Sequence, residues 1–110
     1  MRQTMYYKFY VFCPDDEIVI ADVINAATKA GAGIIGNYTH CAFIQKGRGN
    51  WKAGKGSNPA IGKVGKMTRI DEVKIEMECP AEKAKAVEKA IKEVHPYEEV
   101  VIDFVRLEEI

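Results

Sequence analysis

The alternation of apolar and polar positions divides the chain into six segments. Met5–Cys13 (MYYKFYVFC) is dense in aromatic and β-branched residues and stops at Pro14-Asp15-Asp16, which predicts a strand. The apolar spacing then turns helical. Ile20, Val23, Ile24, Ala27 and Ala30 follow i, i+3, i+4 steps, with Asp15 or Asp16 placed as a cap and Gly31 and Gly33 as a stop. His40–Lys46 predicts a second strand, extended after a bulge at Gly47–Gly49 through Trp51. Ile70–Cys79 alternates cleanly, with Val73, Ile75, Met77 and Cys79 on one face and Lys74, Glu76 and Glu78 on the other. Pro80 suits the first turn of a second helix, whose buried stripe is Ala84, Val87, Ile91 and Val94 and whose surface carries a Glu88–Lys92 pair. His95-Pro96 ends that helix, and Glu99–Leu107 predicts the last strand.

The order β-α-β-β-α-β predicts an α+β, ferredoxin-like fold: one antiparallel sheet with two helices on one face. Right-handed crossovers place the first two strands parallel to each other, with the third antiparallel between them. The first strand is apolar on both sides. Tyr7, Phe9, Val11 and Cys13 alternate with Tyr6, Tyr10 and Phe12. An open sheet face carrying those aromatics requires cover, and self-association supplies it at least cost. The connectivity also sorts the ends of the sheet. Cys13–Asp16, the Lys46–Arg69 connection and His95–Glu99 gather at one end; Ala32–His40 and Cys79-Pro80 gather at the other.

Composition narrows the partners. A length of 110 residues fits one domain, residues 1–110, and 16 Lys+Arg balance 16 Asp+Glu. That balance argues against a nucleic-acid partner, and no apolar run approaches the roughly 18 residues of a membrane span. The start, Met1-Arg2-Gln3-Thr4, lacks the layout of a signal peptide, and three scattered cysteines make no disulfide framework, so a cytoplasmic protein is expected. Charge is nevertheless segregated. Lys46–Arg69 holds seven Lys/Arg and no acid, together with six of the nine glycines, whereas Asp71 to the end holds twelve acids against six bases. A basic, glycine-rich connection of that length is either solvated loop, anion site or subunit contact.

The motifs within this frame carry unequal weight. Gly31-Ala-Gly33-Ile-Ile-Gly36 matches G-x-G-x-x-G, but it follows a helix, so it reads as a helix stop rather than a dinucleotide fingerprint. Gly49–Lys55 begins like a phosphate-binding loop, yet Gly56 stands where Ser or Thr should be; only a looser anion site is left. His40, Cys41, His95 and Glu98 are the metal ligands by type. Strand geometry puts His40 and His95 roughly 15–20 Å apart, so a shared ion would have to lie between subunits, or only the His95/Glu98 pair would serve. His95 has a simpler reading as the residue that ends a helix. Cys13 and Cys79 read as core, Cys41 stays open, and an acid–base pair of His95 with Glu98 rests on residue type alone.

Gly33–Phe43 (GIIGNYTHCAF), Gly56–Lys66 (GSNPAIGKVGK) and His95–Glu99 (HPYEE), in that order, resemble the inserted domain of the YqfO-type Nif-three-like proteins, also called Ngg-one-interacting-factor-three-like or dinuclear metal centre proteins. The resemblance runs from about Tyr7 to Val105. It implies a fold similar to CutA and the PII signalling proteins, and a trimer assembled through the sheets. The family's metal-bearing lobes flank this insert and have no counterpart here, so their dinuclear site and hydrolase-like activity are not expected. By analogy with PII, Lys52, Lys55, Lys63 and Lys66 would meet His95, Tyr97 and Glu98 at a cleft between subunits. The expectation is therefore a non-enzymatic homotrimer that binds a small anion or a divalent metal, with a regulatory or metal-homeostasis role. The alternatives are a docking module for a partner protein and a weak enzyme using His95 and Glu98.

Overall fold

The computed structural model describes residues 5–110; the Met1–Thr4 start weighed above lies outside the described residues. Four strands and two helices follow the predicted order: β1 (Tyr6–Pro14), α1 (Glu17–Lys29), β2 (Phe43–Lys52), β3 (Met67–Pro80), α2 (Ala84–Val94) and β4 (Ile102–Arg106), with a 3-10 turn at Ala81–Lys83 before α2. The sheet order is β2-β3-β1-β4, and every neighbouring pair is antiparallel. This is the ferredoxin-like α+β fold.

Local chemistry explains most of the element ends. Asp16 is the cap: its backbone is extended, and its Oδ1 accepts the N–H groups of Ile18 at 2.9 Å and Val19 at 3.1 Å. His95 ends α2, its own N–H reaching the Ile91 carbonyl while its backbone turns extended ahead of Pro96. The core is the predicted one. Phe9, Val11 and Cys13 from β1 and Val73, Ile75, Met77 and Cys79 from β3 pack under Val23, Ala27, Val87 and Ile91 of the helices. Val94 departs from its predicted stripe and is exposed.

Several boundaries differ from the sequence expectation. β2 starts at Phe43, not His40. The preceding segment is tied down by Cys41 N–H on the Gly33 carbonyl, and His40 adopts a left-handed backbone (φ 60°) that no strand accommodates. β3 starts at Met67, and β2 pairs with it in unbroken register from Phe43↔Glu76 to Lys52↔Met67, with no bulge at Gly47–Gly49. Much of the basic Lys46–Arg69 stretch is therefore strand, and the irregular part shrinks to residues 53–66. Pro80 closes β3 rather than opening α2, and β4 is shorter than Glu99–Leu107.

The far end of this β2–β3 hairpin extends beyond β1, whose pairing stops at Glu72, and the molecule measures 49 × 24 × 24 Å. The open sheet face is mixed rather than uniformly apolar. Lys8 pairs with Glu76 at 3.2 Å, and Lys74 lies over the Tyr10 ring at 5.0 Å. Phe43, Val101 and Val105 remain exposed among these charges.

Candidate functional site

The hairpin and the sequence after α2 meet at the end of the sheet where the topology placed them. Three strands deliver side chains there: Phe12 from β1, Trp51 from β2 and Glu72 from β3, all on the face away from the helices. The 95–101 turn adds Tyr97, Glu98, Glu99 and Val101, and the hairpin loop adds Ser57, Pro59, Ala60 and Ile61. Together they line an open cleft of about 430 Å³, within the size range of small-molecule sites.

His95 is the pivot of the turn. It is 8% exposed, and both ring nitrogens are engaged. Nδ1 accepts the Tyr97 backbone N–H at 3.1 Å, which leaves the proton on Nε2, and Nε2–H donates to the Phe12 carbonyl at 2.7 Å. Burial lowers its pKa from the ordinary histidine value, opposed by the Phe12 hydrogen bond and the Glu72 charge. His95 thus stands as a neutral strut between α2 and β1.

That strut aims Tyr97, whose ring sits 4.8 Å from the imidazole and 5.6 Å from the Trp51 ring. The Tyr97 hydroxyl donates to Glu72 Oε2 at 2.5 Å. Burial first, and then the Glu72 hydrogen bond and charge, raise the Tyr97 pKa, so the phenol keeps its proton and acts as the donor. A Cβ at position 49 would collide with the Glu72 carboxylate and carboxylate stem, so glycine there leaves the space that Glu72 fills. Across the cleft, both oxygens of Glu98 accept the Asn58 N–H, at 2.9 and 3.1 Å, and pin the hairpin loop to the turn.

The predicted site residues divide. Tyr97 and Glu98 line the cleft with His95 behind them, but Lys52, Lys55, Lys63 and Lys66 are exposed and do not contribute to its walls. Lys52 follows Trp51 and therefore points to the opposite face of β2. His40 and Cys41 lie at the other end of the sheet, beside Gly33, which itself bonds to the Glu78 carbonyl. His40 Nδ1 is 2.9 Å from the Thr39 hydroxyl. Among the described residues no three His, Cys, Asp or Glu side chains come together as a metal site. Cys13 and Cys79 are buried, and burial pushes both thiols up to about 11, with carboxylates adding to the effect on Cys13. They are core residues, not nucleophiles.

Sequence reading missed Phe12, Trp51, Glu72, Glu99 and Val101. Extending the Lys74/Glu76 alternation back by two residues would have put Glu72 on their face, but nothing local joins it to a tyrosine 25 positions on. The GIIGNYT segment forms a tight turn at the far end, closed by two hydrogen bonds between Ile35 and Tyr38, and it exposes Ile34, Ile35 and Tyr38.

Comparison with known proteins fits this architecture. By fold, the chain is of the CutA1 type: the CutA1 of Pyrococcus horikoshii superposes with a TM-score of 0.66 at 17% identity, over 94% of this chain and 85% of that one. By sequence the likeness is to another group. The "GTP cyclohydrolase 1 type 2 homolog" of Listeria innocua is 43% identical over 104 residues, which is 94% of this chain and 27% of that protein. A Bacillus cereus protein related to NIF3 matches at 36% identity and a TM-score of 0.81, over 99% of this chain and 27% of its own. The chain is thus homologous to one segment of the NIF3-related proteins, and it spans less than a third of the length of the curated relatives it matches. No model of a known protein family matches it.

Proposed function

We propose that the chain is a non-enzymatic, homo-oligomeric binding module, assembled as a trimer, that holds a small charged ligand in the cleft between the hairpin loop and the 95–101 turn. One observation carries this reading. A built cleft lies beside an open sheet face on which Phe12, Phe43, Val101 and Val105 are all exposed, and apolar surface in that setting calls for a partner copy. The carboxylates of Glu72, Glu98 and Glu99 in the lining favour a cation over a small anion. A divalent metal would have to be shared between subunits, with Glu98 as its carboxylate donor and with His95 released from one of its two hydrogen bonds. A small anion would depend on Lys52, Lys55, Lys63 and Lys66 reaching a neighbouring subunit. Among the described residues no helix is long and apolar enough to cross a membrane, and a cytoplasmic location is part of the proposal.

Native mass spectrometry on protein purified without chelator tests it. A trimer with a reproducible extra mass is expected; a monomer at micromolar concentration overturns the oligomer. A bare trimer favours the second reading, a docking module. That reading draws on the exposed Ile34, Ile35 and Tyr38 turn.

A further inference from the structure

We infer that the cleft takes an organic cation, an ammonium or guanidinium group carried on an apolar or aromatic body. This rests on the proposed ligand-binding role and names the class of ligand. Two features of the cleft converge on it. The first is a lining whose charged side chains are all acidic, although Lys46, Arg48 and Lys74 border Glu72 on its other side. Glu72, Glu98 and Glu99 line the cleft and no Lys, Arg or His does. The hydrogen bonds that Glu72 and Glu98 accept come from neutral donors, the Tyr97 hydroxyl and the Asn58 N–H. The ion pairs of the described residues lie elsewhere, at Lys8–Glu76, Lys8–Glu78, Lys46–Asp15 and Lys92–Glu88.

The second feature is the wall. Phe12, Trp51 and Tyr97 offer aromatic surface, with Pro59, Ile61 and Val101 beside them. A bare metal ion keeps its water and gains nothing from such walls, and a small anion is repelled by the carboxylates. A cation on an apolar body satisfies both: ring faces attract the charge, and the body removes apolar surface from water. The volume of about 430 Å³ accommodates a small molecule rather than an ion alone.

Trp51 is the chain's one tryptophan, so its fluorescence reports on this cleft directly. The full chain is titrated with 2-phenylethylammonium, with phenylacetate and with neutral 2-phenylethanol. The expected result is a saturable change with the ammonium at roughly tenfold or greater preference over phenylacetate. Glu99→Gln should weaken ammonium binding about 3- to 10-fold, with a smaller effect on 2-phenylethanol. Equal or tighter binding of phenylacetate overturns the inference, and so does the lack of a saturable change with the ammonium. The three probes decide on the unaltered protein even where a variant fails to fold. Zinc chloride is run in parallel: a zinc response without an ammonium response overturns the organic cation and leaves the binding module standing. A monomer that binds the ammonium overturns the oligomer and leaves this inference intact.

Discussion

Between Val73 and Cys79, strand β3 lies under two helices with β1 beside it throughout and β2 on its other side as far as Glu76; between Met67 and Asp71 the same strand has β2 alone beside it. Apolar residues mark both halves. In the first half Val73, Ile75, Met77 and Cys79 are fully buried, while in the second Met67, on the same face, is half exposed. The difference teaches that a pattern of apolar residues becomes core only where a second layer covers it. A two-stranded ribbon alone is marginal in water. This one is steadied from outside by the Asn58–Glu98 hydrogen bonds, the Trp51–Tyr97 contact and the Tyr97–Glu72 bond, and those same contacts build the cleft.

The sharpest break in the comparison comes from paired truncations. Phe9→Ala, in the covered half, should cost about 3–5 kcal/mol, whereas Val64→Ala at the hairpin end should stay within roughly 0.5 kcal/mol. Urea unfolding of the two variants checks this, and similar losses would show that the ribbon is part of the core.

Gly33 sits at the covered end with φ +70°, and an added Cβ would meet Met77 Cε at 2.6 Å and the Cys41 carbonyl at 3.0 Å. Gly33→Ala should therefore cost about 2 kcal/mol, from backbone strain plus the clash. Gly49→Ala meets only the movable Glu72 side chain. It should cost under about 1 kcal/mol in stability while displacing Glu72 from Tyr97 and altering Trp51 fluorescence. A larger loss at position 49 than at position 33 would invert the proposed roles.

The His95 strut joins the halves, and its titration sharpens the link. Its folded pKa lies below the unfolded value of about 6.5. The unfolded chain therefore binds the proton first as pH falls. The contribution of His95 to stability is complete above about pH 6.5 and is lost as pH falls from there through the lower folded pKa. Unfolding midpoints at pH 7.5 and 5.5 should show this fall, and His95→Gln should flatten it; an unchanged slope in the variant would remove His95 as its cause. A modest stability effect is expected at Glu98→Ala, at most about 1.5 kcal/mol. It should also appear as faster hydrogen exchange at the Asn58 amide, with the core amides unchanged.

The fold was readable where its causes are local. The β1 aromatics, the α1 stripe from Ile20 to Ala30 and the Val73–Cys79 alternation all state their partners by spacing, and each lies where that spacing put it. The errors fall where a distant group intervenes. His40–Ala42 has the composition of a strand, but Cys41 bonds back to Gly33. Gly47 and Gly49 have the look of a bulge, but the glycine at 49 serves a carboxylate on the neighbouring strand. The lysines of the 46–69 stretch are real surface charge that does not converge on the cleft, because strand pairing turns Lys52 away from the face that Trp51 occupies.

The sequence by itself determined the order of elements, the buried faces of α1 and β3, a helix cap at Asp15 or Asp16 and the His95 stop. These depend on steps of two, three or four residues, over which chain geometry is nearly constant. The tertiary structure alone decided that His95 would brace Phe12 across 83 positions, that Tyr97 would hold Glu72 across 25 and that Glu98 would fasten Asn58 across 40. Contacts at such separations depend on how far the hairpin projects and where the turn after α2 lands, and no local pattern encodes either.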